Sequence, residues 1–470
     1  MDQVNILALA AFLAAAAAAL LLKRPKDSKP SAVALLPPPV ASGVSTIAAL
    51  GTLVTKGLTA VIHDLHAELG SVFTVSLLGL KKVTFLIGPE VTAHFFEGSE
   101  SEIRQSDIYK ITVPVFGRGV LFDVDLPTRR RQIRFLSDAI KPVKLRGQVD
   151  SMVREVELGL LRQMGRAWHG GSEAGAGAVS QLLHELFDNG FHLTSLFFPY
   201  LPIPPHRRRD AARAKLGEIF REAARSRRAS GRAENDLLQK LVDSRYADDR
   251  SLTESEIAGL LIVMIFAGHH TSASAVVWTG ACLLSHGDRR HLAAAVEEQK
   301  QIIGRHGRDR IHYDVLREMC TLHCCIKEAL RMYAPTNVII RRANKSFSVQ
   351  AREGSRYAIP KGHTLVTPPS VNNRLPHIFK DPRVYDPSRF GPGREEDKVG
   401  GKFSFTTFSA GRHVCLGEDY AYMQIKAIWS HVLRNFELKI VSPFPEEEWE
   451  KVSPGPRGKV MVTYKRRLLK

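Results

Sequence analysis

The ten residues Phe408-Ser409-Ala410-Gly411-Arg412-His413-Val414-Cys415-Leu416-Gly417 constrain this chain more than any other segment. They fit the pattern F-x-x-G-x-[RH]-x-C-x-G, with five fixed elements in ten positions. A cysteine between Val414 and Leu416 would ordinarily be a small buried apolar residue. The glycines argue otherwise. Gly411 and Gly417 permit tight backbone on both sides of the sulfur, so that amide groups can point at it. Such donors stabilise a thiolate, the form that ligates haem iron.

The other cysteines are Cys282, Cys320, Cys324 and Cys325, in apolar or helical stretches. An odd count in such places is no disulfide framework, and places most of the chain in a reducing compartment. No C-x-x-C pair occurs, which argues against structural zinc. The 470 residues carry a net charge of +18, gathered at Lys23–Lys26, Arg129–Arg134 and His206–Arg232. These blocks contain no helix-turn-helix or ribonucleoprotein motif and do not alternate with aromatics, so nucleic acid is not the expected partner. An anionic membrane surface, an acidic protein or plain solvation of helix faces accounts for them.

Ile6 to Leu22 is uninterrupted apolar sequence, at the short end of what spans a bilayer. Lys23, Arg24 and Lys26 follow it, which keeps that side cytoplasmic. A cleaved signal would carry its basic residues first, but this chain begins Met1-Asp2-Gln3. The expected organisation is an anchor at 1–24, a basic and proline-rich linker at 25–40, and one domain at 41–470. The body of the chain would then face the cytosol.

Within the body, Ser71–Ser76 and Lys82–Gly88 predict a β-hairpin, and Pro89–Phe96 a helix. Helical periodicity dominates from about Arg129, interrupted by a glycine- and alanine-rich linker at Gly170–Ala178. Thr253 and Glu256 are spaced as a helix-starting capping box before an apolar helix over Ile257–Leu284. Two central histidines, His269 and His270, favour a buried core helix there over a second membrane span. Further helices are expected over Asp314–Tyr333 and Tyr420–Asn435, with short strands at Phe347–Val349 and Tyr357–Ile359. The expected fold class is mainly α with a small β-sheet region.

Two more segments carry chemistry. Glu328-Ala329-Leu330-Arg331 places Glu328 and Arg331 on one helix face, and Asp386-Pro387-Ser388-Arg389-Phe390 adds Arg389. A Glu–Arg–Arg cluster of this kind would lock the core near the cysteine loop. With that loop, the three segments resemble the cytochrome P-450 superfamily in identity and order. The resemblance covers nearly the whole chain. It implies the cytochrome P-450 fold, haem b on Cys415 within a loop that includes Phe408 and Gly411, molecular oxygen, and electrons from NADPH through a flavoprotein, NADPH-cytochrome P-450 reductase. It also implies that Ala267–Ser272 is the oxygen-activation motif, with the Thr271 hydroxyl helping proton delivery. Outside that context a mid-helix threonine is more often bonded to its own backbone.

His270 stands where the superfamily usually has an acid, and this resembles the sterol 14α-demethylase branch. Tyr109–Asp123 is similar to that branch's substrate-side motif, most closely in plants. So are Phe198–Pro204 and Asn373–Phe379. The resemblance implies haem propionates held by Tyr109, Arg129, Arg341 and His413, with Arg130 and Arg131 as alternatives to Arg129. It implies a sterol pocket whose candidate lining is Ile111, Phe116, Leu121, Met264 and Phe266, followed by Ala267, Val338, Ile340 and Met461. The reaction implied is three oxidations of a sterol C14 methyl, released as formate.

Three departures bear on the substrate. Ile111 replaces the phenylalanine usual in plants, leaving room for a substrate with two C4 methyls. Thr336-Asn337 replaces apolar residues, which suits a hydroxyl-bearing ligand. Ser409-Ala410 replaces glycines of the cysteine loop. A divergent paralogue oxidising a pentacyclic triterpene is therefore the alternative, and a haem-thiolate isomerase is disfavoured by Ala267-Gly268 and Thr271. The stretch from Arg146 to Phe197 is also short of one helix by the family's pattern. That raises a further alternative, a haem-free inactive product lacking a core helix.

Overall fold

The computed structural model describes residues 35–41, 52, 56–77, 81–169, 176–191, 195, 198–231, 234–285, 289–308, 311–448, 454–467 and 469. The apolar segment Ile6–Leu22 and the basic residues after it lie outside them. The chain divides into two compact units, one from the residues up to Ile108 with Arg331–Cys415, the other from Tyr109–Leu330 with Leu416–Lys470. The described residues are mainly α-helical, with a small β-sheet region.

The first unit holds helices α1 (Leu58–Leu69) and α2 (Pro89–Glu97) and strands β1 (Val72–Leu77), β2 (Lys81–Leu86), β3 (Ile103–Arg104), β4 (Ile339–Ala343), β5 (Phe347–Gln350), β6 (Arg356–Ile359) and β7 (Thr364–Thr367). The predicted hairpin is present as β1 and β2, antiparallel with Val72 opposite Leu86. Five strands form one sheet in the order β1-β2-β7-β4-β3, in which β7 is parallel to β2 and antiparallel to β4. Strands β5 and β6, at the predicted positions, form a separate ribbon. One apolar cluster, around Phe95, Phe96, Ile339 and Leu365, and another, around Phe73, Phe85 and Phe379, form the unit's core. The stretch Leu36–Val40 is fastened to this unit. Leu36 bridges to Tyr357, and the Thr74 amide donates to the Pro39 carbonyl at 2.8 Å.

The second unit holds α3 (Leu126–Ala139), α4 (Pro142–His169), α5 (Ala176–Gly190), α6 (Pro204–Ser230), α7 (Leu237–Asp243), α8 (Glu254–Ser285), α9 (Arg290–His306), most of α10 (Cys320–Met332) and α11 (Glu418–Asn435), and the ribbon β8 (Phe436–Ile440) and β9 (Val462–Arg466). Helix α5 packs on α6, α6 on α8, and α4 and α8 on α11. Between Arg146 and Phe197, α4 and α5 are the helices of eight residues or more among the described residues.

The capping box is formed. The Glu256 amide donates to Thr253 Oγ1 at 3.2 Å, and Glu256 Oε2 accepts from the Thr253 amide at 2.7 Å. Helix α8 is long and apolar enough to cross a membrane by length and composition. Core helices pass the same test, and α8 packs on other helices of its unit, α3, α6, α7, α9 and α11 among them.

One predicted helix is broken. Asp314–Tyr333 divides into a short helix at Tyr313–Glu318 and α10, because Met319 leaves helical geometry with ψ 76°. Its side chain is fully buried all the same. The apolar pattern therefore runs on through the break and conceals it.

Candidate active site

In the first unit the cysteine loop is closed on itself. The Cys415 amide donates to the Phe408 carbonyl at 2.8 Å, which fixes the backbone from Phe408 to Cys415. Gly411 has φ +62°, and a Cβ there would lie 2.4 Å from the Phe96 carbonyl oxygen. The loop thus rests directly on the end of α2. Arg412 Nε donates to the Glu97 carbonyl at 2.7 Å, and Lys402 pairs with the Glu97 carboxylate. Gly417 differs from the expectation. Its φ of −93° is open to any residue, so only one of the two glycines is required by conformation.

Ser409 occupies the left-handed region at φ +61°. Its hydroxyl is buried without a hydrogen-bond partner among the described residues. The non-glycine residue costs about 1–2 kcal/mol of backbone strain there. Ser409→Gly is expected to raise stability by about 1 kcal/mol, read as a higher denaturant midpoint with an unchanged slope. A lower midpoint would mean that the serine hydroxyl stabilises the loop.

Arg341 is 1% exposed, and its guanidinium lies over the Phe95 ring at 5.3 Å. With its amide oriented to satisfy both neighbours, Gln105 accepts from Arg341 at 2.9 Å and donates to His413 Nδ1 at 3.3 Å. Glu100 lies 3.7 Å from the far nitrogen of His413. Two of the four predicted propionate residues are thereby joined by an amide that no sequence pattern singled out.

Arg331 and Arg389 are also brought together. Both donate to the Val384 carbonyl, at 3.5 and 3.1 Å. Arg331 also donates to the Asn373 carbonyl at 2.9 Å and lies over Phe379. Asn373 in turn accepts from the Thr406 amide at 3.0 Å and donates to Thr407 Oγ1 at 2.7 Å, directly before Phe408. This asparagine is the joint between the arginines and the cysteine loop. Val338 and Ile340 border the second apolar cluster of this unit.

In the second unit Tyr109 stacks on Phe122 at 4.9 Å, and Arg129 lies over the same ring at 5.6 Å. Phe122 thus gathers the other two propionate candidates. Phe116, Leu121, Met264 and Phe266 meet in one apolar cluster. Phe266 stacks on Phe191 at 4.4 Å and also meets Phe116 and Phe187. Phe187 and Phe191 were not anticipated, since their stretch reads only as amphipathic helix. Thr271 Oγ1 donates to the Ala267 carbonyl at 2.6 Å, the local bond common to mid-helix threonines. His270 is half-buried beside His269, whose pKa is lowered first by burial and then by its histidine neighbours. Ile111 is partly buried and Glu328 fully buried. Met461 stands apart, 54% exposed just before β9 and outside the aromatic cluster.

The donor set suits a haem. Cys415 is exposed beside the half-exposed Val414, which leaves it open to a thiophilic metal in an apolar setting. In each unit, taken by itself, a deeply buried arginine suits a carboxylate, Arg341 in the first and Arg129 in the second.

Comparisons with known proteins agree. Residues 172–463 match the family Cytochrome P450. The chain is 50% identical over 440 residues to Sterol 14-demethylase of Arabidopsis thaliana, covering 88% of each. It is 48% identical over 456 residues to Obtusifoliol 14-alpha demethylase of Sorghum bicolor, covering 92% of this chain and 91% of that protein. Lanosterol 14-alpha demethylase of Homo sapiens is 31% identical over 456 residues, covering 90% of this chain and 86% of the human protein. Among solved structures, retinoic acid bound cyanobacterial CYP120A1 matches with a TM-score of 0.73 at 21% identity, over 92% of this chain and 100% of that one. That likeness concerns the fold alone. Taken with the cysteine loop, these matches place the chain in the cytochrome P450 superfamily, as a haem-thiolate monooxygenase closely related to the plant sterol 14α-demethylases.

Proposed function

We propose that this enzyme removes the C14 methyl of a plant sterol such as obtusifoliol. The observation that carries the reading is near-half identity to plant sterol demethylases over about nine-tenths of the chain. The haem b on Cys415 would supply oxygen activation, with electrons from NADPH through the flavoprotein reductase. The chain's own residues do the rest. Arg341 and His413, linked by Gln105, and Tyr109 and Arg129, linked by Phe122, hold carboxylates. The cluster around Phe116 and Phe266 excludes water and takes up apolar surface. Thr271 and His270 move protons on α8, the threonine exchanging its bond to Ala267 for one to the reacting group. Ile6–Leu22 anchors the enzyme in the endoplasmic reticulum membrane, with its body in the cytosol.

A second reading is favoured by Asn337. This side chain is 6% exposed, and its Oδ1 has no hydrogen-bond partner among the described residues. It directly precedes the candidate lining residue Val338, so a hydroxylated triterpene would supply the missing donor.

The test is the carbon monoxide difference spectrum of the reduced full-length protein in microsomes, followed by turnover with reductase. A thiolate-type band and formate from obtusifoliol are expected. A band with hydroxylated or epoxidised triterpene and no formate moves the assignment to the second reading. Well-expressed protein without haem signal rejects both.

A further inference from the structure

Between Gly117 and Asp123 the second unit carries a run of unusual backbone. Gly117 has φ +102°, Gly119 +74° and Leu121 +47°. For a leucine this conformation is strained. Leu121 is nevertheless 7% exposed and packed in the apolar cluster with Phe116. Something must hold the segment in that shape.

The holder is Gln132 on α3, a fully buried amide. Its Oε1 accepts from the Leu121 amide at 2.7 Å, and its Nε2 donates to the Gly119 carbonyl at 2.8 Å. It thus grips both sides of the turn. The second Nε2 hydrogen goes to Tyr246 Oη at 2.9 Å, and Tyr246 Oη donates to Glu256 Oε1 at 2.9 Å. Glu256 belongs to the capping box of α8 and pairs with Arg250 at 3.0 Å, whose guanidinium covers the Tyr246 ring at 4.2 Å. Donors and acceptors alternate correctly along the row. It runs from the turn through α3 to the first residues of α8. Buried networks satisfied in this way are stiff, and each member fixes the next.

We propose that Gln132 is a positioning residue for substrate. With Tyr246 and Glu256 it locks the strained Gly117–Asp123 turn to the start of α8, in the shape that presents Phe116 and Leu121 to the substrate. Gln132 itself touches no substrate. The inference rests on the proposed pocket, but its first readout does not.

Arg118 lies exposed in the turn, so tryptic cleavage after it reports release of the turn without any ligand. In haem-loaded full-length Gln132→Leu, cleavage after Arg118 is expected to quicken by on the order of 30-fold, since three hydrogen bonds are lost. The KM for obtusifoliol, or for the triterpene if that is the substrate, is expected to rise about tenfold, kcat to stay within about twofold, and the carbon monoxide band to keep its amplitude. Tyr246→Phe removes both bonds of the tyrosine hydroxyl but leaves the grip of Gln132 on the turn, and is expected to show the same pattern at a few-fold. It also carries the test if Gln132→Leu fails to retain haem. An unchanged cleavage rate in both variants overturns the proposal, as does faster cleavage with KM unchanged. If the wild-type enzyme turns over neither substrate class, the proposed function falls, and the cleavage rate alone decides whether Gln132 holds the turn.

Discussion

Cys415→Ala is expected to abolish the thiolate-type carbon monoxide band and, with it, turnover. The backbone bond from the Cys415 amide to the Phe408 carbonyl needs no side chain, so the loop keeps its shape in the variant. The cysteine is exposed, and removal of an exposed sulfur changes stability by no more than about 0.5 kcal/mol. The loss is therefore one of ligation and not of folding. A normal denaturation midpoint with no thiolate band is the expected pair of results. A thiolate band in that variant would place the ligand at another cysteine and remove the basis of the site.

Gly411→Ala is expected to do the opposite, failing in the fold before the chemistry. The new Cβ would lie 2.4 Å from the Phe96 carbonyl oxygen and 2.8 Å from its carbon. Both are backbone atoms of α2 and have no rotamer to yield. Left-handed backbone costs an alanine about 1–2 kcal/mol, and overpacking about 1–3 kcal/mol more. The sum is a large share of the roughly 5–15 kcal/mol that holds a typical domain. The expected result is a protein with low haem content and a clearly lowered unfolding midpoint. Wild-type stability and haem content in this variant would show that the loop does not rest on α2 as described.

What could be read in the sequence was local. The hairpin β1–β2, the Thr253–Glu256 start of α8 and the cysteine loop each declare themselves within a dozen residues, because turn chemistry, capping and glycine spacing act over that range. The break at Met319 left no trace, since a buried methionine serves a helix and a kink equally well. Strands β4 and β7 were not anticipated because their partners lie elsewhere in the chain. Gln105 and Gln132 were invisible for a related reason. An uncharged amide has no signature in sequence, and each of these acts on residues brought near it only by folding. The arginines were easier to single out, although their carbonyl acceptors were not.

The arrangement of the five-stranded sheet also has a consequence during synthesis. Strand β2 pairs with β7 through Val83 and Thr364, so its second edge has no partner until about 280 more residues have been made. At ribosomal speeds that is on the order of 15–55 s. Throughout that interval the hairpin would offer the bare side of β2 to any strand it meets, a template for intermolecular pairing. Lys81 and Lys82 head that strand, and their charges discourage such encounters at one end of it. A newly made chain would depend on chaperones most in this window, and a stop anywhere before Thr364 would release a hairpin with no sheet to join.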